Sequence, residues 1–465
     1  MMTPATYQTY RDLPPLAGLC SHVEAALPGL GIKTAVTRLK RFHYCFKRLH
    51  GIFTARITAE PIYELKTGFS HHAYLCAEHV EALRQRVGEM REPPLGLDEV
   101  PHPALEVFFD EILAAPTTPE LLVGLYEKAL PALDIALEFY RAETNKLTDA
   151  PSIRVLRFAR LEIADMIAFG RRCIECLVES RQSMQPWLDR LDELLLDPQT
   201  PERFHSTIPY QYDPLPRRDD RFQDLYNQGV NAEAFLYDET MPAKAKALMM
   251  LYKRLREIDV PEMMASIIVQ TKDKTWGYYR EMTRQLWDEA RHAMMGEVGF
   301  VALGVDWTQV RITFNWSLRL NTECTPVERH AVLYFIEQGL MTRTGKRYEW
   351  ETGIASGIPL MATIQDFDWA DEVLHAAIGR RWYIPQFGDI KKALDYGDQC
   401  WSRVLSNWRT VLDQGLTQHE NWWPMVYEQA CQAWGEKPDA HALAFDMTYE
   451  GARADLKDVA VGASG

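Results

Sequence analysis

Cysteine is scarce in this chain, with 8 residues in a length of 465. So low a density argues against the disulfide framework that stabilises small secreted domains. Cys173 and Cys176 do form a Cys-x-x-Cys pair, but no second pair follows at the spacing of a zinc site. We therefore expect these two side chains to be small buried residues of a helix.

Long apolar runs and an excess of positive charge are also missing. No apolar stretch reaches the roughly 18 residues that a bilayer-spanning helix needs, and residues 1–15 lack the apolar core of a signal peptide. The formal net charge is −14 at pH 7, and no basic tail or patch offsets it. These features argue against membrane insertion and nucleic-acid binding, and they predict a cytoplasmic protein.

Alternating β-branched segments are nearly absent, whereas apolar residues recur at spacings of three and four along most of the chain. The clearest examples are residues 34–91, 119–145 and 152–197. Segments rich in proline and charge interrupt this pattern at residues 91–102 and 197–229. The sequence therefore predicts an all-α protein with a helical N-terminal domain (1–200), a linker (201–229), a helical bundle with further C-terminal helices (230–450) and a flexible tail (451–465).

The sequence Asp-Glu-x-x-His occurs twice, at residues 288–292 and 371–375. Positions three apart lie on one face of a helix, so Glu289 with His292, and Glu372 with His375, can each present a carboxylate and an imidazole to one metal ion. Two such helices, with two more that each supply a glutamate, form the dinuclear carboxylate site of four-helix bundles. The paired motifs therefore predict a dinuclear metal site in the second half of the chain.

Helical-hairpin geometry predicts where the first partner glutamate lies. Val260-Pro261 is interpreted as the turn of the first hairpin, because proline is tolerated at the start of a helix. Glu289 lies about 28 residues beyond that turn, or roughly 42 Å along a helix, so an antiparallel partner should lie near position 232. Glu233 fits this position and the apolar face of its helix, and Glu239 is the alternative.

The second hairpin is treated in the same way, with residues 342–357 as its loop and Pro359 as the start of the next helix. Glu372 lies about 13 residues past Pro359, so its partner should lie about as far before the loop. Glu328 fits, in the first turn of the preceding helix, and Glu337 nearer the end of that helix is the alternative.

The order Glu, Glu-x-x-His, Glu, Glu-x-x-His over residues 231–380 resembles the ferritin-like di-iron carboxylate superfamily. That superfamily includes ferritins, ribonucleotide reductase small subunits, bacterial multicomponent monooxygenases and aminobenzoate-type N-oxygenases. The resemblance implies a ferritin-like four-helix bundle in the C-terminal half, beside an additional helical N-terminal domain. It also implies two iron ions, or manganese with iron, bridged by Glu289 and Glu372, with one histidine on each ion and with Glu233 and Glu328 completing the shell.

Other acidic residues near the motifs fit the same scheme. The resemblance implies that Asp288 and Asp371 accept hydrogen bonds from the ligand imidazoles and so fix the imidazole tautomer. Some N-oxygenases carry an extra histidine one turn before the last motif, and the comparable positions here hold Asp368 and Gln285. Asp368 is an additional candidate oxygen ligand, or alternatively an acid that complements a helix dipole.

The first half of the chain offers a weaker cluster. Four residues of ligand type lie on one predicted helix: Glu64, His71, His72 and His79. Glu162 is followed three residues later by Asp165, where a ligand histidine would be needed. A degenerate copy of the metal bundle is one interpretation, but we expect polar residues of a domain that shapes the substrate cavity or a homodimer interface, without a metal ion.

Tryptophans are frequent in the C-terminal stretch, at Trp401, Trp408, Trp422, Trp423 and Trp434. We expect them to pack helices together, and aromatic walls would also suit an apolar substrate.

The resemblance implies an O₂-dependent di-iron oxidase or oxygenase that acts on a small organic substrate through a diferrous/peroxo-diferric cycle and takes electrons from an external donor. No catalytic residue is assigned beyond the metal centre. The alternatives are a non-catalytic metal-handling protein and a helical interaction protein of the same class. Hydrolysis at a dinuclear centre is disfavoured, because such sites usually draw their ligands from loops. An internal cavity beside the metals would favour catalysis, and an open polar channel would favour metal traffic.

Overall fold

The computed structural model describes residues 2–91, 95–196, 202–341, 345–406 and 408–448, and leaves the side chains of Trp408 and Arg409 undescribed. Most of these residues are helical, and the extended residues paired within these ranges are Val230 and Thr448, which form one isolated bridge. The prediction of an all-α protein is therefore confirmed. No helix in these ranges combines the length and apolar character that crossing a bilayer requires. The predicted tail, residues 451–465, lies outside the described residues.

The chain divides into two compact units. Unit 1 comprises Met1–Phe53 and His72–Gln211, and unit 2 comprises Thr54–His71 and Tyr212–Gly465. This division differs from the predicted domains in two places. Residues 54–71 belong to unit 2, and so does most of the segment predicted as a linker.

The first eight α-helices are α1 (His22–Ala25), α2 (Ile32–Ala59), α3 (Tyr63–Glu89), α4 (Pro103–Leu113), α5 (Thr118–Val123), α6 (Leu130–Glu143), α7 (Ala150–Leu177) and α8 (Gln185–Leu196). A π-helical turn, Gly124–Ala129, joins α5 to α6. Short 3₁₀ turns lie at Tyr10–Asp12, Leu16–Gly18 and His205–Thr207.

Helix α7 shows how unit 1 packs. Its buried residues recur at spacings of three and four, as the periodicity predicts, and include Ile163, Met166 and Gly170. A Cβ atom at Gly170 would lie 1.9 Å from the Tyr126 ring, so only glycine allows this approach. Near the end of α7, Cys173 is half-buried and Cys176 is exposed, so the prediction of two buried cysteines is wrong.

Unit 2 contains α9 (Ala232–Tyr237), α10 (Ala243–Arg256), α11 (Asp259–Gln270), α12 (Trp276–Ala302), α13 (Asn315–Glu323), α14 (Pro326–Leu340), α15 (Lys346–Ala355), α16 (Pro359–Trp382), α17 (Ile390–Ser406), α18 (Trp408–Asp413), α19 (Trp423–Trp434) and α20 (Ala440–Leu443). Short 3₁₀ turns lie at Trp307–Gln309 and Ile384–Gln386. Trp422 and Trp423 lie in the apolar core of this unit, and Trp434 packs against it.

Helices α10 and α12 pack closely and antiparallel. A Cβ atom at Gly296 would lie 2.4 Å from the backbone nitrogen of Leu255, and one at Gly299 would lie 2.1 Å from a methyl carbon of Leu251. Along this contact the residue numbers of α12 increase while those of α10 decrease, so the two helices are antiparallel. This close contact places the C-terminal end of α10, capped by Glu257, beside the middle of α12.

Helix α16 packs against both α12 and α14. Asp371 lies beside His292 of α12, and His375 lies beside Asp288, so these helices are antiparallel. The Tyr334 ring of α14 packs on Gly379 of α16, where a Cβ atom would lie 2.1 Å away. Helices α10, α12, α14 and α16 therefore surround one buried region of unit 2.

The first predicted hairpin turn is wrong. Pro261 lies inside α11, and the turn after α10 falls at Glu257 and Ile258. The chain then breaks again between Gln270 and Trp276. Because α11 and α12 are separate helices, the distance from Pro261 to Glu289 cannot be counted along one helix.

The second predicted loop, residues 342–357, is also wrong in part. Residues 346–355 form helix α15, which packs against α10 and α16. Residues 342–344 lie outside the described part of the chain. The position of a partner glutamate along α14 therefore cannot be found by counting equal numbers of residues on either side of a simple loop.

The segment predicted as a linker is anchored by a buried ion network. Arg218 is fully buried, donates to Glu262 at 2.9 Å and forms an ion pair with Asp259. Lys66 lies 3.0 Å from Glu262, and the Ser317 hydroxyl donates to Glu262 at 3.0 Å. Because removing one partner would leave buried charges uncompensated, this network holds residues around 218 on the α11 side of unit 2.

Candidate metal centre

Helix α12 presents the first motif to the interior of unit 2. Glu289 and His292 lie three positions apart on one face and are 2% and 0% exposed. The Nδ1 atom of His292 lies 3.6 Å from Oε2 of Glu289. The helix runs without interruption from Trp276 to Ala302, so the motif sits in its rigid central part.

Helix α16 presents the second motif in the same way. The Nδ1 atom of His375 lies 3.3 Å from Oε2 of Glu372 and 3.2 Å from Oε1 of Glu289. Asp368, one turn earlier on α16, is fully buried, and its Oδ1 atom lies 3.6 Å from Nδ1 of His292. The structure thus brings both predicted motifs and Asp368 together.

Two further glutamates approach the imidazoles. Oε2 of Glu257 lies 3.2 Å from Nδ1 of His292, and Oε1 of Glu337 lies 3.8 Å from Nδ1 of His375. Gln285 donates to Oε1 of Glu337 at 3.0 Å. In the described ranges, three overlapping groups place their ligand atoms within 4.8 Å of one another: Glu257, Glu289 and His292; Glu289, Glu337 and His375; and His292, Asp368 and Glu372.

Each imidazole directs its second nitrogen at the aspartate of the opposite motif. Nε2 of His292 lies 3.2 Å from Asp371, and Nε2 of His375 lies 3.4 Å from Asp288. A proton on Nε2 that is donated to the aspartate leaves the Nδ1 lone pair directed at the carboxylates. The two aspartates are therefore placed as the resemblance implies, with the partners exchanged between helices.

Two arginines surround this outer layer. Arg291 donates to Asp371 at 2.7 Å and also donates to Asp288, and Arg284 donates to Asp288 at 2.9 Å. Burial would raise the pKa of Asp288, but hydrogen bonds from His375, Arg291 and Arg284 lower it to about 2. Asp288 therefore remains an ionised acceptor at neutral pH.

The inner carboxylates and imidazoles shift one another's pKa values. Burial would raise the pKa of Glu289, but the neighbouring imidazoles of His292 and His375 lower it to about 2. Burial would lower the pKa of His292, but Asp371, Glu257 and Glu289 raise it to about 10. Burial and the neighbouring Glu372 raise the pKa of Glu337 well above its usual value. The surrounding carboxylates thus stabilise a positive charge on the His292 imidazole.

The hydrogen-bonding state of the inner atoms fits a metal site. Six side chains present buried atoms that have no hydrogen-bond partner: Nδ1 of His292 and His375, and one oxygen each of Glu257, Glu289, Glu337 and Glu372. Buried polar atoms are nearly always satisfied, so a convergent set without partners calls for a ligand. Imidazole and carboxylate donors are those that iron and manganese accept.

Two cations lie on the opposite side of the carboxylates. Arg254 on α10 lies 2.9 Å from Glu257 and also pairs with Asp368. Lys346 on α15 lies 2.9 Å from Asp368 and 2.8 Å from Glu372. The sequence analysis named neither residue. Lys346 fell in the segment predicted to be a loop.

Three predicted candidates lie outside the cluster. Glu233 lies 3.3 Å from Lys253, and Glu239 is exposed. Glu328 completes a capping box with Thr325, accepting from its backbone N–H at 2.7 Å. The positions predicted for Glu233 and Glu328 are taken by Glu257 and by Glu337, the alternative to Glu328 on α14.

Sequence signals that point to Glu257 and Glu337 do exist. Thr325-Pro-Val-Glu328 has the Ser/Thr-x-x-Glu pattern of a helix N-terminus, which gives Glu328 a capping role. The polar run at residues 271–275 marks the break between α11 and α12, and Asp273 adopts a positive φ of 62° there. A break at that point lets α12 pack antiparallel to α10. Glu257, at the end of α10, then becomes the candidate partner glutamate.

The ligand-type residues of the first half have protein partners. Within unit 2, Glu64 accepts from Arg221 at 2.6 Å, and His71 stacks on Trp287 with ring centroids 4.4 Å apart. Within unit 1, His72 lies 2.7 Å from the Tyr126 hydroxyl and His79 lies 2.6 Å from Glu162, while Asp165 is exposed. The structure thus spreads them over two units.

A cavity of about 120 Å³ adjoins the cluster, and Glu257, Glu289, Glu337 and Glu372 line it. Its other walls combine nine apolar residues, among them Val260, Met263, Leu333, Ile336, Trp316 and Trp401, with the polar or charged Glu233, Lys253, Arg256, Asp259 and Ser317. Trp316 and Trp401 pack edge to face with centroids 4.9 Å apart. Trp401 therefore forms a cavity wall, one of the two roles expected of the C-terminal tryptophans.

Comparisons of the chain with protein-family models, with characterised proteins and with solved structures give no match.

Proposed function

We propose that this protein is an O₂-dependent oxidoreductase, an oxidase or oxygenase with a dinuclear iron centre in a ferritin-like arrangement of α10, α12, α14 and α16. The observation that carries the proposal is the convergence of two buried imidazole nitrogens and four glutamates, with unpartnered atoms, at the wall of an apolar cavity.

The distances suggest how two ions would be held. Glu289, Glu337 and His375 would hold one ion. His292 would hold the other, with Glu257 and Asp368, which lie 3.2 and 3.6 Å from its Nδ1 atom. Glu289 lies within 3.6 Å of both imidazoles, which suits a bridging carboxylate. Iron bound here, or manganese with iron, would supply the redox chemistry with O₂.

The chain's own residues would orient the ligands and shape the substrate site. Asp288 and Asp371 hold the imidazoles in the tautomer that binds through Nδ1. The apolar walls would bind the hydrocarbon part of a small organic substrate against the carboxylate face and exclude water from it. An apolar cavity of about 150 Å³ holds a molecule the size of benzene, so a group of that order suits the present one. Electrons would come from an external donor.

The cavity favours catalysis over the metal-handling alternative. A protein that passes metal ions to solvent needs a polar path, whereas most of this cavity wall is apolar. Hydrolysis is disfavoured as well, since the candidate ligands lie on helices or at the end of one, rather than on loops.

The test is metal content followed by reactivity. Protein purified from iron-supplemented cells should contain about two metal ions per chain, by analogy with dinuclear carboxylate sites. The variants His292→Ala and His375→Ala should lower that content, whereas His71→Ala, a histidine of unit 2 outside the cluster, should not. Full occupancy in the double variant would refute the site.

Reactivity separates the two functions. The reduced, iron-loaded protein should consume O₂ in an oxygen electrode, and apolar molecules that fit the cavity should change the rate. A protein that binds two ions but is inert to O₂ under all these conditions would be a metal-handling protein instead.

A further inference from the structure

The cations near the candidate centre are distributed unequally between its two halves. Arg254 pairs with both Glu257 and Asp368, two of the carboxylates that lie within 3.6 Å of Nδ1 of His292. Lys346 adds a second positive charge at Asp368, at 2.9 Å. Glu257 and Asp368 therefore already have a cationic partner, whereas Glu289 lies close to both imidazoles and belongs to both halves.

The His375 half differs. Glu289 and Glu337 contact imidazole and amide nitrogens, at 3.2 Å to His375 and 3.0 Å to Gln285. In the described part of the chain no lysine or arginine forms an ion pair with either glutamate. Lys346 lies 2.8 Å from Glu372, which in turn lies 3.3 Å from His375.

This asymmetry has a direct electrostatic consequence. An ion entering the His292 half must displace Arg254 from two carboxylates and then lie beside a like charge in a buried region, where Coulomb interactions are weakly screened. An ion bound by Glu289, Glu337 and His375 displaces no lysine or arginine from these three side chains in the described part of the chain. The side chains of Arg254 and Asp368 are 0% exposed and that of Lys346 is 1% exposed, while Glu257 is partly buried at 16%.

We infer that the two ions bind in a fixed order. The first binds tightly at Glu289, Glu337 and His375, and the second binds more weakly at Glu257, His292 and Asp368, because Arg254 competes for that half. Arg254 is thus a positioning residue that keeps the second ion exchangeable. This inference rests on the dinuclear centre proposed above.

The experiment is an anaerobic titration of the metal-free full chain with Co²⁺, followed by visible absorption and calorimetry. The first ion should bind at least tenfold more tightly than the second. Glu337→Gln should weaken the first step, and Glu257→Gln should weaken the second step while sparing the first. Arg254→Gln should tighten the second step by about tenfold.

Lys253→Gln is the matched control, because Lys253 is the neighbour of Arg254 on α10 and forms its ion pairs with Glu349 and Glu233, which belong to neither ligand set. It should leave both steps unchanged. If Arg254→Gln does not fold, Lys346→Gln replaces it with the same expected direction, and the Glu337 and Glu257 variants test the order independently.

The outcomes separate the two proposals. Failure of Co²⁺ to bind at all would overturn the proposed dinuclear function and this inference with it. Binding of two ions with equal affinity or in one cooperative step, or an Arg254 variant with an unchanged second step, would overturn the inference alone. Loss of the tight step in Glu257→Gln would reverse the assigned order and refute it too.

Discussion

Replacing Gly296 with alanine would show whether the close contact of α10 with α12 positions Glu257. The added Cβ atom would lie 2.4 Å from the backbone nitrogen of Leu255 and 2.7 Å from its Cα atom, whereas ordinary contacts begin at 3.4 Å. The obstacle is backbone, which cannot rotate aside as a flexible side chain can. Helix α10 must therefore move by about 1 Å.

The cost of that movement can be bracketed. Overpacking a buried contact costs about 1–3 kcal/mol, while replacing a helical glycine by alanine recovers about 0.5–1 kcal/mol. We expect Gly296→Ala to destabilise unit 2 by about 1–2 kcal/mol on balance. Glu257, two residues beyond Leu255, should move with α10 and lose its 3.2 Å approach to His292.

Gly339→Ala is the matched control, because a Cβ atom at this α14 position meets nothing within 4 Å. It should stabilise the protein by about 0.5–1 kcal/mol. Urea unfolding would measure both variants, and Co²⁺ titration should show a weaker second ion in Gly296→Ala only. Equal stability of the two variants, with unchanged metal binding, would refute this packing argument.

Three further predictions follow from the same structure. Leu333→Trp should fill the cavity and abolish substrate-dependent O₂ consumption while metal content stays at its parental level; a parallel loss of metal would mean that Leu333 supports the centre instead. Asp288→Asn should weaken metal binding about 10–100-fold, as outer-layer changes do, measured by the same titration, and unaltered affinity would contradict the role given to the His375 bond. Burial of His50 lowers its pKa to about 4, so between pH 6.5 and pH 4 this histidine is protonated in the unfolded chain but not in the folded chain. The free energy of unfolding should therefore fall as the pH drops toward 4, by on the order of 3 kcal/mol. His50→Gln should remove only its own share of that dependence in urea unfolding, because burial also lowers the pKa values of His43 and His330 to about 4, whereas His22→Gln should leave the dependence unchanged.

Periodicity predicts the helices well, because apolar residues at three and four spacing form a continuous stripe only when the backbone is helical. It predicts the connections poorly. The stretch from Lys346 to Ala355 has a mixed polar sequence and follows a Thr-Arg-Thr-Gly-Lys run, a pattern typical of a loop. Its role depends on tertiary contacts, with Lys346 and Glu349 pairing with residues far away in sequence.

The partner glutamates show the same limit. A glutamate on an amphipathic helix carries no local mark of a ligand, so its selection depends on counted helix lengths. One misplaced turn moves the prediction from Glu257 to Glu233, a difference of more than six helical turns. The capping pattern at Thr325 is visible in the sequence and favours Glu337 over Glu328.

The aspartates are different, because their arrangement follows from the motif itself. Asp288 and His292 lie four positions apart on α12, as Asp371 and His375 do on α16. When two such helices pack antiparallel, the register that brings Asp288 to His375 also brings His292 to Asp371. A slip of one turn would break both hydrogen bonds and take the His375 donor from the buried, ionised Asp288, which costs stability. The repeated motif therefore specifies the inner carboxylate and imidazole of each helix and also the register in which the two helices meet.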